Sequence, residues 1–294
     1  MNFDLSKGLE WAYRDMLTFF PENVSTFGAQ LDSIFALIYW FSVATFFLTY
    51  GLLVIFMVKY RYNEHRKAYY FHGNNLMEFT WTLLPTIFFV GLGLWSDGAW
   101  SKTKYASRVP KPDVEIDVLG YQSGFGWQFR YAGPDGVFGN KDREQITIAN
   151  PFGIDSNDIH GKDDFVIISP GGSRPIPIHL PVNKNILVNL SSNDVLHSFF
   201  LPNFRVKQDA LPGQWIKVWF NGSKIGTYEL ACAELCGSGH YNMRGQVFID
   251  SQADYDKWLD EQYKISKPVL EAPVSSDTTI VASADTKDSK TTKN

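Results

Sequence analysis

Cysteine is scarce in this sequence, with only two among 294 residues. Both lie between residues 232 and 243, so any site that depends on thiols has to be there. Charged residues are also scarce, at 20%, while hydrophobic residues reach 45% and aromatic residues 16%. This composition is more hydrophobic than that of a typical soluble protein. The formal net charge of −4 argues against a nucleic-acid partner, because nucleic-acid-binding surfaces are strongly basic.

Charge is absent from two long stretches in the first hundred residues. Residues 35–58 read FALIYWFSVATFFLTYGLLVIFMV, and a helix of that length spans the hydrocarbon core of a bilayer. Residues 79–95 read FTWTLLPTIFFVGLGLW, with a proline that spanning helices tolerate. Tryptophans near both ends of this second stretch fit the aromatic belts of a membrane protein. We therefore predict membrane spans at about 35–58 and 79–97.

Basic residues favour a cytoplasmic position for the connector between the two spans, because cytoplasmic loops are enriched in lysine and arginine. The connector contains Lys59, Arg61, Arg66 and Lys67. Three further basic residues follow the second span and weaken this assignment: Lys102, Lys104 and Arg108. The first thirty residues lack the basic start, apolar stretch and cleavage site of a signal peptide, so the first span is expected to act as the insertion signal.

The residue pattern changes after the second span. Short runs of valine, isoleucine and aromatic residues alternate with glycine, proline and asparagine, which predicts an antiparallel sandwich or barrel. Residues 253–265 have the pattern of an amphipathic helix. We expect an outer N-terminal segment at 1–33, a membrane hairpin at 34–100, an all-β head at 101–266 and a disordered tail at 267–294.

Residues 133–164 are rich in glycine, asparagine and acidic residues. This composition predicts a loop-rich elaboration of the head. Its acidic residues are expected to form a solvated surface, which is the ordinary location of such side chains.

The stretch CAELCGSGHYNM, residues 232–243, places two cysteines, a histidine and a methionine within twelve positions. A disulfide is one interpretation, since an oxidising compartment favours it. The loop it would close is small, however, and the bridge leaves His240 and Met243 unexplained. A structural zinc ion is another, although zinc prefers four cysteine or histidine ligands and has no use for methionine.

Copper suits this mixture of thiolate, imidazole and thioether donors. A single blue-copper ion would use Cys236, His240 and Met243. Its second histidine would be His197, and Cys232 would be left over. Two copper ions account for the residues better, because both thiolates then bridge the pair and each ion takes one histidine. Such a site has no open coordination position, which favours electron transfer over substrate chemistry.

Three segments resemble subunit II of cytochrome c oxidase, the haem–copper terminal oxidase of respiration. Residues 193–249 contain the cysteine motif and the strands that lead to it, from NDVLHSFFLPNF to GQVFI. Residues 176–199 resemble the family's strand pair before the first copper histidine, and GNNLMEFTWTLLPTIF at 73–88 resembles the start of its second span. The resemblance covers roughly residues 35–265.

The resemblance implies a cupredoxin-like Greek-key β-barrel that faces the periplasm and holds a dinuclear copper centre. It implies copper ligands at His197, Cys232, Cys236, His240 and Met243, together with the backbone carbonyl of Glu234. The Glu234 side chain is then expected to ligate a magnesium or manganese ion shared with the catalytic subunit, because carboxylates suit such hard ions.

Further roles follow from the resemblance for residues outside the copper motif. Glu78 is expected at the cytoplasmic mouth of a proton pathway, although an ordinary interfacial helix-start residue explains it too. Trp127 and Phe125 are candidates for accepting the electron, with Tyr121 as an alternative, because the family's aromatic stretch is altered here. The alternative for these rings is simple core packing. Two acidic residues are candidates for steering a basic donor: Asp194 and Asp209.

The resemblance implies a respiratory electron-transfer subunit with two membrane spans in the bacterial inner membrane. Electrons would pass from cytochrome c, soluble or fused, through the copper pair to a haem–copper catalytic subunit that reduces oxygen to water and translocates protons. Other oxidase subunits and membrane lipid are the further expected partners. The copper subunit of a nitric oxide reductase and a membrane-anchored copper chaperone are the alternative functions.

Overall fold

The computed structural model describes residues 20–67, 69–122, 126–172 and 175–271. It begins with two long helices, α1 at Gly28–Lys59 and α2 at Asn75–Lys104. Both are long and apolar enough to cross a membrane, and their most apolar parts are not covered by the rest of the protein. The rings of Phe41 and Phe88 stack between them with centroids 4.0 Å apart.

Both helices extend past the predicted spans at their outer ends. Helix α1 begins seven residues before position 35, and α2 continues seven residues past position 97. These turns are polar and contact the head, where Asp32 binds Arg205 and the Lys104 ammonium donates to Gln208 at 2.7 Å. Hydropathy does not identify them because their charged and polar residues end the uncharged runs that mark a span.

Among the described residues, ten strands form two five-stranded sheets around one apolar core. The first sheet has the order β3-β2-β1-β5-β8 and the second the order β4-β10-β9-β6-β7. The strands are β1 Val114–Tyr121, β2 Gly126–Tyr131, β3 Phe165–Ser169, β4 Ile178–Pro181, β5 Asn185–Ser192, β6 His197–Leu201, β7 Val206–Ala210, β8 Ile216–Asn221, β9 Gly226–Cys232 and β10 Arg244–Asp250. The predicted all-β head behind two apolar helices is confirmed.

Pairing is antiparallel except between β1 and β5 and between β4 and β10. Strand β2 is buried on both faces, unlike a strand with one solvated side. One face packs into the core with Trp127 and Phe129, and the other is covered by residues 133–164. The insertion therefore adds a layer over the first sheet.

A buried ion cluster attaches the insertion to β1 and β2. The guanidinium of Arg130 is fully buried and binds Asp117, Asp164 and the carbonyl of Gly139. Lys141 reaches Asp117 at 2.8 Å from the insertion side. The expectation of a solvated acidic surface is wrong for Asp164, because a buried arginine needs carboxylate partners.

The outer N-terminal segment joins the head before α1 begins. Val24 is buried in the core, its N–H donates to the carbonyl of Asn203, and its carbonyl accepts from the N–H of Ser223. Ser25 forms an isolated antiparallel bridge with Gly222. The segment thus ties the start of the first membrane helix to two loops of the head.

The C-terminal helix, α3 at Gln252–Glu271, packs on the edge of the head. The ring of Trp258 stacks on His179 with centroids 4.6 Å apart. The helix takes in the first five residues of the segment expected as a disordered tail. The rest of that tail, residues 272–294, lies outside the described residues, as do residues 1–19.

Candidate metal centre

The cysteine motif is a loop between two paired strands. Cys232 is the last residue of β9, and Met243 comes directly before β10. The N–H of Cys232 donates to the carbonyl of Met243 at 3.1 Å and closes the loop. Gly237 has φ +132°, a conformation that L side chains rarely adopt, and lets the chain turn back toward β10.

His197 reaches this loop from a neighbouring strand. It is the first residue of β6, which pairs with β9 through Phe199 and Cys232. The sheet therefore brings together two parts of the chain that are 35 residues apart, and each part supplies donor atoms.

The donor atoms form two groups around the two thiols. The Nδ1 atom of His197 lies 3.9 Å from Cys232 Sγ, and the Nδ1 atom of His240 lies 3.7 Å from Cys236 Sγ. The sulfurs of Cys232 and Cys236 are 3.9 Å apart, and both cysteines are free. Met243 Sδ lies 3.2 Å from Cys236 Sγ. Each thiol thus has its own imidazole.

Glu234 contributes to this cluster through its main chain. Its carbonyl oxygen lies 3.2 Å from Cys232 Sγ. Its carboxylate is half-exposed, and no hydrogen-bond or ion-pair partner for it occurs within the described part of the chain. The side chain is therefore available to bind a group from outside.

The cluster is largely shielded from water. His197 is 0% exposed and Met243 1%, while Cys236 is buried and Cys232 is half-buried. Close packing of the buried members limits the conformations that their side chains can adopt.

Without metal, the two thiols differ in pKa. Burial alone would raise the pKa of Cys232, but hydrogen bonds from His197 and the main chain of Ser198 lower it to about 6. Burial raises the pKa of Cys236 to about 12, helped by the neighbouring charge of Cys232. Burial also acts to lower the pKa of His197, yet the hydrogen bonds with Cys232 and Asp194 raise it overall.

Three residues hold the His197 ring in position, and the sequence did not predict this role for any of them. The Asp194 carboxylate is 2.7 Å from Nε2 of His197, and its other oxygen accepts from the N–H of Gln122 at 2.7 Å. A Cβ on Gly120 would lie 2.6 Å from the same ring. Asp194 was expected only as a steering charge, and Gln122 and Gly120 have no distinguishing pattern in the sequence.

The aromatic candidates for electron acceptance have different surroundings. Trp127 is 0% exposed and makes an edge contact with the His197 ring at 6.2 Å, so it lies behind the cluster in the core. Tyr121 is half-exposed at the end of β1. Phe125 lies outside the described residues. Core packing accounts for the burial of Trp127, and a role in electron transfer stays a prediction.

Two other predicted residues lie away from the cluster. Glu78 is in the first turn of α2, where the side chain of Asn74 caps the helix and a carboxylate interacts favourably with the helix dipole. Asp209 is exposed on β7, opposite Ser198 in the pairing with β6.

The donor set fits copper. Thiolate, imidazole and thioether are soft or intermediate ligands, and structural zinc sites do not use the thioether. Two thiols at a separation of 3.9 Å, each beside a different imidazole, fit a pair of ions bridged by sulfur. The residues present therefore fit the dinuclear copper group that the resemblance implies.

Two family models match the chain. The model for the periplasmic domain of cytochrome c oxidase subunit II matches residues 174–250, and the model for the transmembrane domain of the same subunit matches residues 14–97. The second match identifies α1 and α2 as the membrane hairpin. The first covers the cupredoxin-like head from just before β4 to the end of β10.

Known proteins agree with these matches. The alternative cytochrome c oxidase subunit 2 of Bradyrhizobium diazoefficiens is 32% identical over 81% of this chain and 82% of the relative. Cytochrome c oxidase subunit 2 of Cereibacter sphaeroides is 31% identical over 74% of this chain and 70% of the relative. The crystal structure of the periplasmic domain of subunit II of cytochrome oxidase from Bradyrhizobium japonicum is 29% identical, with a TM-score of 0.40 over 53% of this chain and 98% of that one. The chain therefore belongs to the cytochrome c oxidase subunit II family.

Proposed function

We propose that this chain transfers electrons from a cytochrome c to a haem–copper catalytic subunit through a dinuclear copper centre. The observation that supports this most strongly is the arrangement of two free thiols 3.9 Å apart, each beside its own imidazole. The ligands are His197, Cys232, Cys236, His240, Met243 and the carbonyl of Glu234.

The protein's own contribution is a rigid, dry set of ligands. When bound, the copper pair supplies a one-electron relay shared between two ions. The hydrogen bond between Cys232 and Met243 and the pairing of β6 with β9 hold the ligands on one sheet. A fixed ligand set means that the protein changes little between the oxidised and reduced states, which favours fast transfer.

The Glu234 carboxylate is proposed to bind a magnesium or manganese ion at the contact with the catalytic subunit. Its carbonyl belongs to the copper cluster while its side chain is half-exposed and unpaired among the described residues. A carboxylate is a suitable ligand for such an ion. The oxygen-reducing site itself is proposed to lie in the catalytic subunit.

The remaining roles concern the membrane and the donor. Glu78, exposed at the start of α2, is proposed to collect protons from the cytoplasm for the catalytic subunit. Cytochrome c is proposed to deliver electrons near the cluster, by way of Trp127, Phe125 or Tyr121. The hairpin is proposed to span the bacterial inner membrane, with the head on the periplasmic side.

Copper loading of the full-length chain in detergent tests this function. We expect two copper ions per chain and an EPR spectrum in which one unpaired electron is split equally by two copper nuclei. The Cys236→Ser variant should lose this pattern, while Ser238→Ala, in the same loop, should keep it. A single-copper blue spectrum, a zinc-only site or a disulfide between the cysteines would contradict the proposal.

A further inference from the structure

A cavity of about 540 Å³ opens where the outer ends of α1 and α2 meet the head. Its walls come from the first turns of α1, the last three turns of α2, and strands β7 and β8. The predicted spans end close to these turns, so the cavity lies at the level of the outer headgroups and the adjoining acyl chains. The copper cluster does not line it.

Most of the wall is apolar. Leu31 and Ile34 on α1, Trp100 on α2, and Val218 and Trp219 on β8 all line the cavity. An apolar cavity of this size at the ends of two membrane helices suits a hydrocarbon chain better than water, because water finds few hydrogen-bond partners along its apolar wall.

The cavity also contains an excess of positive charge. Lys104 and Lys207 both line it, and within the described ranges neither has a carboxylate at salt-bridge distance. The Lys104 ammonium instead donates to Gln208 at 2.7 Å. Arg205 is different, because Asp32 neutralises it at 2.7 Å. Asp97 is the remaining acidic residue in the wall, so the lining itself has one more positive than negative charge. Asp209 on β7 does not line the cavity but interacts electrostatically with Lys104.

This excess accounts for a departure from the usual charge distribution of membrane proteins. Lysine and arginine are enriched in cytoplasmic loops, yet basic residues follow the second span on the outer side. Binding of an anion would explain why a basic residue lies at the outer end of the second span. Lys104 is placed at such a position, between an apolar wall and the water.

We propose that this cavity binds one membrane phospholipid, with its phosphate between Lys104 and Lys207 and an acyl chain against the wall formed by α1, α2 and β8. One phosphodiester has the single negative charge that the lining lacks. The apolar wall suits the acyl chain of a phospholipid, and the two lysines suit its phosphate. The site is independent of the copper ligands.

Native mass spectrometry of the full-length chain in detergent tests the proposal, with palmitoyl-oleoyl phosphatidylglycerol as the probe. We expect one tightly retained lipid per chain. The variants K104Q and K207Q should each bind about five-fold more weakly, since a cation near a lipid surface contributes on the order of 1 kcal/mol. K102Q is the matched control, because Lys102 lies on the same helix but donates to Gln30 and does not line the cavity.

A second pair of variants tests the acyl-chain wall. Gly93 lines the cavity, and a Cβ at Gly93 or at Gly91 would meet nothing within 4 Å. Gly93→Leu should therefore fill the cavity and remove the lipid, whereas Gly91→Leu on the same helix should keep it. Circular dichroism confirms that each variant is folded.

The ligand's identity is tested by competition and by crosslinking. Dioleoylglycerol, which lacks the phosphate, and inorganic phosphate, which lacks the chain, should both fail to displace the bound lipid. A photoreactive residue in place of Trp100 should label lipid in intact membranes. Equal lipid retention by all variants, displacement by inorganic phosphate alone, or crosslinking of that position to another polypeptide would overturn the proposal.

Discussion

The Nε2 atom of His197 lies 2.7 Å from the Asp194 carboxylate, while Nδ1 of the same ring faces the sulfur of Cys232. When the neutral ring donates its Nε2–H to the carboxylate, its lone pair lies on Nδ1, where a metal can bind. The Gln122 N–H fixes the carboxylate in turn. The orientation and tautomer of one ligand are therefore set by a residue three positions earlier.

Asp194→Asn should weaken copper binding by about 10–100-fold without unfolding the head, as expected for loss of the partner that orients a ligating histidine. Competition with a copper chelator measures this affinity. Asp209→Asn is the control, since Asp209 is exposed and the carboxylate that binds the His197 ring is that of Asp194. If both variants only slow reduction by cytochrome c in a salt-dependent way, Asp194 is a steering charge and not a positioning residue.

Gly120→Ala should displace the His197 ring, because the new Cβ would lie 2.6 Å from its Cδ2 atom. Overpacking of this kind costs about 1–3 kcal/mol, and the shifted ligand should lower copper affinity as well. Thermal unfolding and copper titration report the two effects. Gly98→Ala is the comparison, since nothing lies within 4 Å of a Cβ there. Identical copper affinity in both variants would show that the ring tolerates the contact.

Met243→Leu should retain both copper ions but shift the reduction potential of the centre. The change nearly conserves volume, so the fold should lose less than about 1.5 kcal/mol, while the sulfur 3.2 Å from Cys236 is removed. A spectroscopic redox titration provides the measurement. Met77→Leu, in the membrane hairpin, should leave the potential unchanged. An unchanged potential in Met243→Leu would mean that the thioether is not a ligand.

Arg130→Met should destabilise the head by about 3–5 kcal/mol, because it leaves the buried carboxylates of Asp117 and Asp164 without their main partner. Urea unfolding followed by tryptophan fluorescence measures the loss. Proteolysis should also cut residues 133–164 faster. Arg143→Met, at an exposed position of the same insertion, is the control. Equal stability of the two variants would show that the ion cluster contributes nothing net.

His160 should titrate above its ordinary pKa of about 6.5, because its Nδ1 forms a 2.5 Å hydrogen bond with Asp135. A raised folded-state pKa means that the stabilisation is complete below the unfolded pKa and is lost as pH rises through the folded value. NMR titration of the ring protons measures the midpoint. Asp135→Asn should bring it back toward 6.5, and no change would exclude this pair.

The sequence predicted the features that depend on neighbouring residues. The membrane helices follow from uncharged runs, and the metal cluster follows from residues within one loop plus one histidine. What it did not predict depends on contacts between distant residues. Asp194 and Gly120 have ordinary neighbours along the chain, and the burial of Asp164 depends on Arg130, 34 residues earlier. Val24 likewise became a core residue only because the head lies next to the start of α1.

The bridge between Ser25 and Gly222 gives the head a second attachment besides the connection that follows α2. A domain held by one tether can swivel, whereas one held at two separated points cannot turn without breaking a contact. The buried pair of Arg205 and Asp32 adds a third restraint beside them. The position of the Cys232 and Cys236 loop relative to the two membrane helices is thus set within this polypeptide, before any other subunit binds.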